Sequence, residues 1–250
     1  MSSPKFFYAD AALVFLALPT FVLYLLLLVV LLKHRRKSTL STPFFKLLTA
    51  LGFCDLLALF VNYAFLRLPN WGVLLDEVYL PNGNWLPSVG MSGWAATLTV
   101  SNVGVTVIAV NRMMAVAFPV AFKTFWVPRN VRYVLVLIFM SAIWVPFVIP
   151  LYGQPYYKVD NTTDSVLRSE NIIAKPYSVF LLSCLLISAV CYGMAFWRQK
   201  HSTVAEYRRK DVENRLLVCG FVLFVGQLML VVGGACRAIA PNSPWTGRFA

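Results

Sequence analysis

The sequence predicts an all-α membrane protein: six transmembrane helices forming one domain, 1–250. Three observations predict it. Hydrophobic residues make up 59% of the 250 and charged residues only 13%, against about a quarter charged in soluble domains. Six apolar runs recur along the chain, each near the 20 or so residues that cross ~30 Å of hydrocarbon as a helix. The bases lie in short clusters between those runs, the pattern that sets membrane topology. The net charge of +12 therefore speaks for membrane orientation, and no nucleic-acid partner is expected.

The runs are 11–33, 44–67, 88–117, 132–152, 176–197 and 213–239. The first contains Pro19 and stops at Lys33-His34-Arg35-Arg36-Lys37. It is too long for a signal-peptide core and lacks a small-residue cleavage site, so it is read as an uncleaved anchor. The second starts at Ser41-Thr42-Pro43, a cap-and-N1 signal, and is expected to end before a turn at Pro69-Asn70-Trp71-Gly72. The third is the longest and closes on Asn111-Arg112-Met113, with Pro119 following. The fourth carries Trp144, Pro146 and Pro150 near its far end, where proline bends a helix. The fifth runs from Pro176 to Trp197-Arg198. The sixth holds Gly220, Gly226, Gly233 and Gly234, small residues that let helices approach closely.

Orientation follows from the loop bases. The loops after spans one, three and five, with the adjoining helix ends, hold 15 of the 22 Lys+Arg. Positive loops stay inside, which predicts a cytoplasmic side for those loops and an extracellular N-terminus. The sequon Asn161-Thr162-Thr163 then falls outside, where glycosylation occurs. Six spans bring the C-terminus outside too, and no seventh apolar run is read before Ala250.

Charged groups inside the hydrocarbon are costly and mark function by default. Asp55 is the only acid well inside a span, about 11 residues or roughly 16 Å deep. Counting back the same distance from Arg112 reaches Ser101, so the two form a candidate intramembrane polar site, able to share a water or a small cation or simply to join helices. The five cysteines all lie in or beside apolar runs, with no metal-ligand spacing. The two histidines sit in loops, and neither a His cluster, a nucleophile elbow nor an aspartate pair is present. Neither an enzyme, a metal site nor a cofactor is expected.

Asn111-Arg112-Met113, Val116 and Pro119 match the Asp-Arg-Tyr-x-x-Val-x-x-Pro pattern closing the third helix of rhodopsin-like receptors. Leu51 through Asp55 matches their helix-two motif, and Trp144 stands in helix four as theirs does. With the run Thr42-Pro43-Phe44-Phe45-Lys46-Leu47-Leu48, the chain most resembles the nematode serpentine chemoreceptors of the Srg/Srv superfamily. The resemblance implies a rhodopsin-like bundle in the plasma membrane, an external small-molecule pocket and coupling to a heterotrimeric G protein. Arg112 would engage that G protein. Asn111 replaces the acid that restrains the arginine in the common motif, so the restraint is expected to be a weaker, neutral hydrogen bond.

The chain also departs from the pattern. It has no cysteine pair for the usual external disulfide, no helix-one asparagine and no Cys-Trp-x-Pro in helix six, and the helix-seven motif is not read. The pocket is expected among helices three, five and six. Met91, Trp94 and Leu98 rise from Ser101 at helical spacing, and Gln227 lies in the sixth span. These suit a hydrophobic ligand, with no acid to grip an amine. Two alternatives stay open: a truncated, non-signalling receptor and a six-helix transporter subunit.

Overall fold

The computed structural model describes residues 4–34, 42–70, 73–83, 85–145, 156–157, 167–168, 174–201, 215–226 and 228–229. Its helices are α1 (Pro4–Lys33), α2 (Pro43–Asn62), α3 (Leu86–Ala117), α4 (Pro119–Phe125), α5 (Pro128–Met140), α6 (Ala174–Lys200) and α7 (Arg215–Gly226). A two-residue antiparallel ladder pairs Tyr156 with Arg168 and Tyr157 with Leu167. Among the described residues, three helical stretches are long and apolar enough to cross a membrane: Pro43–Phe65, Leu86–Ala117 and Tyr177–Lys200. They correspond to the second, third and fifth predicted spans. Phe21–Lys33 and Arg215–Gly226 are shorter apolar helices.

Prolines set most of the boundaries. Pro43, Pro119 and Pro128 each open a helix, a position where the missing N–H costs nothing. Phe118, at φ −134° and ψ 64°, breaks α3 from α4, because the residue before a proline is pushed out of the α region. Thr42 has the extended backbone of an N-cap but makes no capping bond through its side chain. Its hydroxyl is a buried atom without a hydrogen-bond partner among the described residues.

Two expectations are corrected. The second helix does not end before Pro69. It continues through a π turn, Tyr63–Arg67, to Leu68–Asn70; Trp71 and Gly72 lie outside the described residues. The Leu68 N–H reaches back to the Tyr63 carbonyl, and Pro69 has no N–H to offer, so Ala64 loses its backbone donor. The Tyr79 hydroxyl donates to that carbonyl instead. Tyr79 sits against Phe65, Leu68, Leu75 and Leu86, and burial raises its phenol pKa. This pins the α2–α3 connection, which itself forms a π turn at Leu75–Tyr79 after Leu74 in the left-handed region.

The fourth predicted span, 132–152, begins earlier, at Pro128, and its regular helix stops at Met140. Ala142, Ile143 and Val145 donate to carbonyls three residues back, the tighter pitch of a 3₁₀ turn. Pro146 explains this: it cannot donate to Ala142 and its ring would crowd that carbonyl. Trp144 therefore stands on a turn, with its ring edge-on to Phe180 of α6.

The helices pack around α3, which meets both α2 and α6 along its length. Phe44, Leu47, Leu51 and Cys54 form the buried stripe of α2 at helical spacing. They join Val105, Ile108 and Ala109 of α3, Val131 and Ile138 of α5, Leu185 and Tyr192 of α6, and Leu217 and Phe224 of α7. The opposite faces are apolar too, with Leu23, Phe60, Leu137, Leu186 and Val222 all exposed. A helix apolar all round is built for lipid; the chain is an integral membrane protein.

Candidate functional site

Glycines bring α2 and α3 together. A Cβ on Gly104 would come within 2.2 Å of the Leu51 side chain, and one on Gly90 within 2.5 Å of the Phe65 Cβ. That close approach puts Asp55 of α2 within hydrogen-bonding reach of α3. The Ser101 hydroxyl donates to Asp55 Oδ1 at 2.8 Å, so the two residues of the expected polar site do meet. The second carboxylate oxygen is also engaged: the Tyr24 hydroxyl of α1 donates to Oδ2 at 3.1 Å. Asp55 thus ties three helices through two hydroxyl donors, one on each oxygen.

Tyr24 was not singled out from sequence. Its signal was a lone hydroxyl in an otherwise apolar stretch, Phe21–Leu32. Among the described residues, no group of three or more His, Cys, Asp or Glu side chains could hold a metal ion. Asn102, beside Ser101, is buried; its amide donates to the Leu98 carbonyl at 2.7 Å, while its side-chain oxygen has no hydrogen-bond partner among the described residues.

The other face of α3 meets α6 through hydroxyls. Tyr177 donates to the Ala95 carbonyl at 3.1 Å and lies 3.3 Å from the Thr99 hydroxyl. Further along, Ser188 donates to Thr106 at 3.1 Å, and Thr106 to the Cys184 carbonyl at 3.2 Å. Thr, Ser and Tyr can satisfy themselves locally or across a helix pair, which suits them to joining helices in lipid.

At the end of α3, Asn111 and Arg112 are both buried, at 0% and 3% exposure. The Asn111 side-chain oxygen accepts from Arg112 Nε at 3.1 Å and Nη2 at 2.6 Å. The guanidinium lies over the Phe44 ring of α2, 4.6 Å from its centroid. Phe44 belongs to the same buried core as Tyr192 of α6 and Leu217 of α7. Tyr192 is 1% exposed and its hydroxyl has no hydrogen-bond partner among the described residues. It rests against Gly220, where a Cβ would come within 2.5 Å of the hydroxyl.

Met113 is half-buried beside this cluster, and Pro119 is exposed at the start of α4. Sequence reasoning missed Phe44 and Tyr192, whose roles depend on which helices meet. Met91, Trp94 and Leu98 are half-buried. At 100° per residue they share one side of α3 with Val105 and Arg112, between the faces turned to α2 and α6. Gln227 and the sequon Asn161 lie outside the described residues.

Residues 13–235 match the family model of the serpentine type seven-transmembrane G-protein-coupled chemoreceptors, Srv. The serpentine receptor class V-1 of Caenorhabditis elegans is 26% identical to this chain over 245 residues, which cover 94% of the chain and 76% of that receptor. With a buried Asn-Arg pair closing a membrane-length third helix and a family match over most of its length, the chain belongs to the Srv family of serpentine chemoreceptors.

Proposed function

We propose that this protein is a chemosensory receptor that detects a small hydrophobic ligand outside the cell and signals through a cytoplasmic heterotrimeric G protein. The observation that carries the reading is Arg112, a cation only 3% exposed at the end of α3, lying over the Phe44 ring of α2 and donating to the neutral amide of Asn111. A buried cation so held is costly to keep and can be released when its neighbours move.

The loop bases support placing the Arg112 end in the cytoplasm and the N-terminus outside, in the plasma membrane. Asn161 is then open to glycosylation. At the outer end, Met91, Trp94 and Leu98, with Gln227 from the sixth span, would line an apolar pocket carrying one amide for orientation.

The test is expression of the full chain in a G-protein reporter cell, screened with volatile and lipid-like small molecules. The expected result is a concentration-dependent response to at least one hydrophobic compound that Arg112→Ala abolishes without loss of surface protein. A response that persists in Arg112→Ala would overturn the coupling role. Ligand uptake without any reporter signal would favour a transporter.

A further inference from the structure

We infer that the outward face of α5 docks one anionic phospholipid of the inner leaflet, with Arg129 taking its phosphate and the helix below carrying an acyl chain. The inference goes beyond ligand detection and signalling. It takes from the proposed orientation only which leaflet supplies the lipid.

Residues 129, 133, 136, 137 and 140 fall on one side of α5 at helical spacing. All five are exposed. Arg129 opens the row, and Tyr133, Val136, Leu137 and Met140 follow at 55%, 54%, 67% and 52%. The opposite side, Val131, Val134, Leu135 and Ile138, packs into the core. The exposed row runs in the order of a phospholipid's own parts. A cation stands at the helix end, a hydroxyl one turn in, and apolar side chains over the next two turns.

The polar end is already assembled. Arg129 Nε donates to the Tyr133 hydroxyl at 3.3 Å, and the guanidinium carbon lies 5.8 Å from the centre of the Tyr133 ring. That bond uses one of the five N–H donors of a guanidinium, whose planar fork suits a phosphate. Side chains lean towards the start of their helix, so both groups reach back to the end where headgroups lie. Tyrosine is itself a residue of that interface.

Charge selects an anionic lipid over a neutral one. No Asp or Glu occurs between Glu77 and Asp160, and the bases Lys123 and Arg132, near Arg129 in sequence, are exposed as well. Bases so placed beside a membrane draw anionic headgroups. A free phosphate would engage Arg129 but leave Val136, Leu137 and Met140 uncovered, whereas a phospholipid covers the whole row.

The test incubates the purified full chain, in detergent, with equal amounts of palmitoyl-oleoyl phosphatidylserine and phosphatidylcholine. Native mass spectrometry then counts the lipids retained. Phosphatidylserine should be retained in preference, and Arg129→Gln should cut that preference about 5-fold. Tyr133→Phe should cut it less, and Arg198→Gln, at the end of α6, should leave it unchanged. Equal retention of the two lipids by the natural protein overturns the inference. An equal loss from Arg129→Gln and Arg198→Gln also overturns it, because the preference would then be a general attraction. Glycerophosphoserine, the headgroup without chains, should fail to displace the bound lipid at equal concentration; displacement would reduce the site to a phosphate site and overturn the lipid assignment. No G protein enters the readout, so a chain that failed to signal would leave this result standing.

Discussion

Asp55 and Arg112, the charged groups that α2 and α3 carry into the bundle, are held in opposite ways. Asp55 takes one hydroxyl on each oxygen, from α1 and from α3, so its bonds run between helices. Arg112 donates two hydrogen bonds to the side-chain oxygen of the residue before it, and its tie to α2 among these contacts is the face of a ring. An acceptor met by donors on two neighbouring helices anchors them. A neutral amide and an aromatic face, by contrast, are contacts that a moving helix can break. The difference separates a fixed part of the bundle, α1–α2–α3, from an arginine poised at its end.

Perturbing the anchored side should act on stability. Gly90→Ala has the largest expected effect. Its new Cβ would meet the Phe65 Cβ at 2.5 Å, an atom that cannot rotate away, so the helices must part at a cost of about 1–3 kcal/mol. Thermal unfolding of the purified protein should show a lowered midpoint, and an unchanged one would mean that α2 and α3 are not so closely packed there. Asp55→Ala removes both interhelical bonds and should cost about 1 kcal/mol, at ~0.6 kcal/mol per bond in a membrane bundle. Tyr24→Phe removes one and should cost about half as much. A Tyr24→Phe loss as large as that of Asp55→Ala would mean that Ser101 contributes nothing, and the three-helix anchor would reduce to a pair.

Much of this organisation was legible in the sequence. Membrane-length apolar runs mark α2, α3 and α6, and depth counted from Arg112 and from the start of α2 pairs Ser101 with Asp55. That worked because rise per residue is nearly constant in a helix, so equal depth is readable without knowing the packing. Direction around the bundle is not readable in the same way. Tyr24, Phe44 and Tyr192 became visible only once α1, α2 and α6 stood beside their partners. The turn expected at Pro69 was misplaced because a π turn and the Tyr79 hydroxyl together absorb a proline that usually ends a helix. The regular helix through Trp144 was misplaced because Pro146 tightens the turn before it.

The releasable side should act on signalling, and one measurement tests it most directly: basal nucleotide exchange by a G protein reconstituted with the full chain, its Asn111→Asp form and its Arg112→Ala form. A carboxylate at 111 makes a charge-assisted bond about twice as strong as the amide's, so Asn111→Asp should lower basal exchange. Arg112→Ala should remove it, with all three forms folded to the same extent. Equal exchange from all three would contradict the account, because the arginine and its weak restraint would then have no part in coupling.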